Sequence, residues 1–132
     1  MDINRSKLRE IIMTSLYQIL IYKSNKMEYN TSEIIKNLLE QENAFVNDTV
    51  NGVLNNIEKI DEVANKYLID WEINRLGKTD QSILRIGIYE ILYTDTPDIV
   101  CINEAVELAK KYSDDKVKNI INGVLDKIVH NK

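Results

Sequence analysis

One cysteine (Cys101), one proline (Pro97), one histidine (His130) and four glycines set limits on this 132-residue chain before any pattern is read. A lone cysteine excludes an intramolecular disulfide and any thiolate metal cluster. So little proline and glycine leaves too few turn residues for a many-stranded fold, and an all-helical (all-α) architecture is the expectation. No apolar run approaches the roughly 20 residues that cross a bilayer, since Ile83 to Tyr93 is interrupted by Arg85 and Glu90. Nothing near Met1 resembles a signal or transit peptide, so a cytoplasmic location is expected. At this length one domain buries a sufficient core without a structural metal or disulfide.

What is present is helical periodicity. Leu8, Ile12, Leu16, Ile19 and Leu20 share one side of a helix from about Arg5 to Lys23, with Asn4 as N-cap. Thr31 or Ser32 starts a short helix using Ile34, Ile35, Leu38 and Leu39. Val46, Val50, Val53, Ile57, Ile60 and Ala64 predict a long helix over 44–69, or two near-collinear ones with Asp61 restarting the second. After a connector holding Trp71, Ile73, Leu76, Gly77 and Lys78, Thr79 or Asp80 begins a helix that is apolar nearly all round, hence central. Thr96-Pro97 ends it. A fifth helix covers about Ile102 to Tyr112. The sixth, from Asp115 to about His130, carries Val117, Ile120, Ile121, Val124, Leu125 and Ile128 on one face. Asn51-Gly52-Val53-Leu54 repeats as Asn122-Gly123-Val124-Leu125, which suggests two related halves, approximately 1–70 and 71–132; Gly123 is expected to let two helices approach closely.

The net charge of −4 disguises an uneven division along the chain. Residues 1–30 sum to +2 (Arg5, Lys7, Arg9, Lys23 and Lys26 against Asp2, Glu10 and Glu28), and residues 110–132 to +3, which leaves the middle at −9. If the ends meet, one face is basic and another acidic, suited to a polyanion and a basic protein at once.

Raw material for catalysis is scarce. His130 stands in the last three residues and reads as a solvated tail group. Cys101 reads as a small buried hydrophobe rather than an activated thiol. Glu104 and Glu107 have a spacing that metal sites use, but without nearby histidines a capping or solvated role fits better. There is no Gly-rich phosphate loop, ligand spacing or nucleophile elbow. The chain is expected to be a binder, not an enzyme, and to need no cofactor.

Arg5, Lys7 and Arg9 open the first helix, with Arg5 and Arg9 at i, i+4 on one face. Cations there oppose the helix dipole, a cost of roughly 0.3 to 1 kcal/mol each. They read equally well as a site for an anionic ligand or as a solvated helix end. Lys110, Lys111, Lys116 and Lys118 surround the turn before the last helix, and with Asn119 and Asn122 offer phosphate contacts and amides that read base edges. Tyr17 and Tyr22 have faces for unpaired bases, though such tyrosines also line core rims.

These residues resemble the NusB family of bacterial transcription antitermination factors across nearly the whole chain. The resemblance runs through Arg5 to Arg9 with Leu16-Tyr17-Gln18, Val50 to Leu54 with Ile60-Asp61, and Trp71 with Arg75-Leu76. It continues through Asp80, Ile83-Leu84-Arg85-Ile86 and Tyr89-Glu90. Most specific are Ile102-Asn103-Glu104-Ala105-Val106-Glu107-Leu108-Ala109-Lys110 and Asn122-Gly123-Val124-Leu125-Asp126. The resemblance implies two three-helix subdomains in one domain. It also implies binding to the single-stranded boxA element of ribosomal RNA leader transcripts together with NusE, a small-subunit ribosomal protein, in an antitermination complex with RNA polymerase. Carried over by residue, RNA contacts fall on Arg5, Lys7, Arg9, Tyr17, Lys116, Lys118, Asn119 and Asn122. Arg9→Ala should then weaken binding and flatten its salt dependence. Docking of NusE falls on Asp80, and less readily on Glu90, which inside an apolar helix reads as paired with Arg85 or a backbone group.

The chain departs from the family pattern at Ile120, where an aromatic is common, at Ser6, often basic, and at Gln81, often charged. Two alternatives stay beside the adaptor: a helical scaffold that binds only protein, and a stand-alone RNA-binding module like that fused to ribosomal RNA cytosine methyltransferases. A monomer and a homodimer that masks the RNA face are both open.

Overall fold

Short polar caps start most of the helices in the structure, a computed structural model that describes residues 4–132. The elements are α1 (Arg5–Ser24), α2 (Thr31–Leu38), α3 (Ala44–Asn55), α4 (Ile57–Tyr67), a 3-10 turn (Ile73–Arg75), α5 (Lys78–Tyr93), α6 (Asp98–Tyr112) and α7 (Asp115–His130), with no strand among the described residues. The Asn4 carboxamide accepts from the Lys7 N–H at 2.9 Å, Asn30 from Glu33 at 3.0 Å, Asn43 from Val46 at 3.1 Å and Asp114 from Val117 at 2.8 Å. Each satisfies a donor that the helix cannot, for about 1 kcal/mol. At the far end of α1, Lys26 takes a left-handed conformation (φ 54°) while the N–H of Met27 reaches back to the Tyr22 carbonyl at 2.9 Å. That closes the carbonyl end of the helix.

The expected bounds of α1 and α7 agree with the structure to within a residue. The 44–69 stretch is two helices, and the restart falls at Ile57 rather than Asp61. Asn56 makes the break: its backbone N–H reaches the Gly52 and Val53 carbonyls, and its side-chain amide donates to the Gly52 carbonyl at 2.8 Å. Asp61 instead lies inside α4 and accepts the Arg85 guanidinium in a two-pronged pair at 2.8 and 3.0 Å. Pro97 also plays a different part. Helix α5 has already stopped at Tyr93, and Pro97 is the residue from which α6 starts, its carbonyl accepting from Val100 and Cys101. A proline lacks only the N–H that a helix start leaves unused. The fifth predicted helix therefore begins four residues early, with Ile99 exposed on its first turn.

Helix α5 is central, packed against α1, α3, α4, α6 and α7. Ile83, Leu84, Ile86, Ile88 and Ile91 are buried around its circumference, each contributing roughly 1.5 to 3 kcal/mol of burial. Gly87 admits α7 closely: a methyl there would stand 2.9 Å from Leu125 Cδ1. The two repeated tetrads lie in α3 and α7, but their glycines differ. Gly52 lies directly beneath the Tyr89 ring, whereas nothing stands within 4 Å of a methyl built on Gly123. The expected close approach belongs to Gly52 and not to Gly123.

Candidate nucleic-acid interface

The charged groups at the start of α1 divide between surface and core. Lys7 is exposed and lies 3.9 Å from Glu10. Arg5 is exposed, and its guanidinium carbon rests 3.8 Å from the centroid of the Phe45 ring. Arg9 is only 3% exposed. It donates through Nε and a terminal nitrogen to both carboxylate oxygens of Glu90, each at 2.7 Å, with Glu104 at 3.3 Å. Burial pulls the Arg9 guanidinium toward losing its proton, but the hydrogen bond and charge of Glu90, with the charge of Glu104, outweigh it and raise its pKa.

This pair corrects two expectations. Arg9 is not a surface cation offered to RNA, because its donors face a carboxylate inside the protein. Glu90 is not a docking surface, being 1% exposed, and its partner is Arg9 rather than Arg85. Ser6, where a basic residue was noted as common, donates to Glu104 at 2.7 Å. It thus holds the carboxylate that also faces Arg9. Gln81 is buried and donates to the Leu76 carbonyl at 2.8 Å, bracing the connector against α5.

The last helix separates its candidates onto two stripes, as about 100° of rotation per residue requires. Lys116, Asn119, Ile120, Gly123 and Lys127 line one side of a groove of about 340 Å³, whose other side is Tyr67, Ile69 and Trp71. Lys116 Nζ lies 5.7 Å from the Trp71 ring centroid, and Trp71 is 38% exposed. The connector is held in place by Asn65, whose side chain accepts the Ile73 N–H at 2.8 Å. Lys118 and Asn122 lie one turn apart on a different stripe, and Lys118 is 3.7 Å from Asp115. Tyr17 is 39% exposed on α1, outside this groove.

An adjoining groove of about 260 Å³ runs past Trp71, Arg75, Asp80, Asp114, Lys116 and Ile120. Asp80, in the first turn of α5, accepts the Ser113 hydroxyl and so ties that turn to the α6–α7 connection. No hydrogen bond or ion pair among the described residues joins the α1 cations directly to those of α7. Glu10 ties α1 to α6 instead, accepting Lys111 Nζ at 2.8 Å and the Tyr112 hydroxyl at the end of that helix. Hydrogen bonds from Lys111 first and Tyr112 second hold the Glu10 carboxyl below its usual range. They likewise raise Lys111 and Tyr112. Lys116 and Lys118 stand elsewhere, beside Trp71 and Asp115.

Trp71 and Lys127 were not singled out as site residues by the sequence. The available signal was an indole in a polar connector, which a core assignment did not require. Cys101 is buried beside the Arg9–Glu90 pair, and burial, then the Glu90 charge, pushes its thiol up to about 11. Its chemistry is that of a core residue. Among the described residues no group of three or more His, Cys, Asp or Glu is placed to hold a metal, and no helix is long and apolar enough to cross a membrane.

Exposed cations and aromatic rings bordering shallow grooves make this an all-helical protein with a cationic, aromatic-lined surface. The match extends to a particular family: residues 6–130 fit the NusB family model, and the chain belongs to the NusB family. Transcription antitermination protein NusB of Clostridium novyi (strain NT) is 44% identical over 135 residues, covering 96% of this chain and 98% of the relative. Its counterpart in Campylobacter jejuni (strain RM1221) is 37% identical, with 97% of each chain covered. Among solved structures, T. maritima NusB superposes with a TM-score of 0.84 at 29% identity, covering 98% of this chain and 93% of that one. A crystal structure of the antitermination factors NusB and NusE in complex with double-stranded RNA matches with a TM-score of 0.79 at 26% identity, covering 97% of each chain.

Proposed function

We propose that this protein is a non-catalytic RNA-binding antitermination factor that binds boxA of ribosomal RNA leader transcripts together with NusE and supports processive transcription by RNA polymerase. The observation that carries the reading is the groove where Lys116 faces Trp71, with Asn119 and Lys127 beside it. A cation, an indole face and a carboxamide in one shallow cleft suit a phosphate, an unpaired base and a base edge. The solved relative that contains NusE and RNA supports the same assignment. Arg5 and Lys7, reached past Lys111 on α6, extend the RNA path. Lys118, Asn122 and Tyr17 are its outer contacts.

Ile120 lies in this groove next to Trp71. Ile120 offers no ring at its position, and Trp71 beside it supplies the face against which a base packs. Asp80, at the edge of the adjoining groove, is the acidic residue we assign to contact with basic NusE. Its bond to Ser113 sets the carboxylate in place.

The test is binding of a short boxA RNA and a scrambled control at several salt concentrations, with and without NusE. Selective binding that NusE strengthens is the expected result. Equal binding of both RNAs, or salt-insensitive binding of NusE alone, would replace this reading with a protein-only scaffold.

A further inference from the structure

We infer that Arg5 acts as a stacking platform for an unpaired RNA base, held flat by Phe45, and not as a simple phosphate contact; this rests on the RNA-binding reading above. Phe45 occupies the first turn of α3, fixed there by the Asn43 cap, and its ring is half-buried. Two guanidiniums address that ring. The carbon of Arg5 lies 3.8 Å from its centroid and that of Arg9 5.2 Å away. Arg9 is immobilised by Glu90, so Phe45 is wedged against a fixed group and forms a rigid floor for Arg5.

Arg5 is exposed and takes part in no ion pair among the described residues. A guanidinium is planar, with two equivalent faces. The Arg5 guanidinium carbon lies over the Phe45 ring, and the exposed residue offers the group to a planar partner from solvent. Bases released from a helix stack on arginine planes as they do on aromatic rings. Holding the plane against a ring in the free protein removes most of the ordering cost that a flexible arginine meets on binding. A phosphate contact uses the hydrogen-bonding edge of the guanidinium and needs no such floor under its face.

The distinction is measurable with the full-length protein and the boxA RNA. Arg5→Lys keeps the charge and loses the plane, Phe45→Leu keeps apolar bulk and loses the ring, and Phe45→Tyr keeps the ring. Arg5→Lys and Phe45→Leu are each expected to weaken binding roughly five- to tenfold with the salt slope unchanged. Their combination should be no weaker than either alone, and Phe45→Tyr should bind as the parent does. A urea midpoint for Phe45→Leu separates lost binding from lost folding. A 2-aminopurine scanned through the RNA should show quenching at one position, relieved in both variants. Parent-like binding by Arg5→Lys and Phe45→Leu would overturn the platform while leaving the RNA reading intact. No selective binding by the parent protein would remove the reading on which it rests.

Discussion

Replacing Arg9 by alanine is expected to cost about 3 to 5 kcal/mol of folding stability, the range for breaking a buried ion pair from one side. The magnitude follows from what is left behind. Glu90 is 1% exposed, and Arg9 supplies both hydrogen bonds to its carboxylate, each at 2.7 Å. Removing Arg9 strands that charge in the core and takes the 3.3 Å donor from Glu104 as well. With a urea m-value of about 2 kcal/mol/M, the unfolding midpoint should fall by about 2 M. That is a large part of the 5 to 15 kcal/mol that domains of this kind possess. Arg9→Lys should lose less, since it keeps a positive charge beside Glu90, but it should still lose some because one ammonium cannot reproduce the two-pronged geometry. Exchanging both partners for apolar residues, Arg9→Met with Glu90→Leu, should cost much less than the sum of the two single changes. The assay is equilibrium urea unfolding of the parent, Arg9→Ala, Arg9→Lys, both single apolar variants and their combination by circular dichroism. A loss below about 1 kcal/mol in Arg9→Ala, or strict additivity in the cycle, would refute the buried-pair argument. If the folded variant is isolated at low temperature, the salt slope of its RNA binding should match the parent's, because no phosphate contact has been removed.

The twin glycines should respond with opposite signs. Gly123→Ala, into open space, should stabilise α7 by about 0.5 to 1 kcal/mol through helix propensity, whereas Gly52→Ala must displace the Tyr89 ring from its stack on Tyr93 and should lose about 1 kcal/mol net. Midpoints moving in the same direction would contradict the packing described. Cys101, with its thiol near 11, should react with iodoacetamide at pH 8 roughly two orders of magnitude more slowly than a free thiol, read by mass spectrometry; rapid stoichiometric labelling of the native protein would place it elsewhere. The lowered Glu10 pKa makes its tether a pH-dependent one. Unfolded, the group binds a proton more readily than when folded, so its stabilisation is full above about 4.5, the ordinary value, and is lost as pH falls through the lower folded value. The difference in urea midpoint between the parent and Glu10→Gln should therefore close on acidification, and should shrink with salt because the partner Lys111 is exposed to solvent. A difference that persists at low pH would exclude this origin.

Where cap and stripe agreed, the sequence was sufficient to place an element. Helix α1 combines the expected cap Asn4 with Leu8, Ile12 and Ile19, while α7 was placed by its unbroken stripe from Val117 to Ile128 alone, its cap Asp114 being added by the structure. The all-round apolar character of α5 likewise revealed its central position. A break between α3 and α4 was among the expectations, but its position was hidden because apolar spacing continues across Asn56, and periodicity reports the direction of side chains without registering a backbone turn. Pro97 misled for a related reason. A proline is compatible with ending one helix and with opening the next, and only the backbone bonds at its own carbonyl decide between the two.

The interface was less legible, and Arg9 explains why. Arg5, Lys7 and Arg9 look alike when counted as cations, yet Arg5 and Arg9 share the stripe of Ile12 and Leu16, and of the two only Arg9, one turn further in, is buried. A charge on an apolar stripe requires a counter-charge, and an apolar helix elsewhere contains one unexplained acid, Glu90. Each was therefore evidence for the other. Their separation of 81 residues concealed the match, because helix faces specify which residues turn inward and leave open which of them meet. The same limit kept Trp71 out of the groove it forms with Lys116. Residues assigned by charge alone were thus the ones most exposed to revision, whereas Arg5, resting on Phe45, gained a more specific role from its surroundings. The pairing of Arg9 with Glu90 fixes α1 against α5 and, through Phe45, fixes α3 against α1. The buried ion pair is in this way the support on which the exposed cation next to it is oriented.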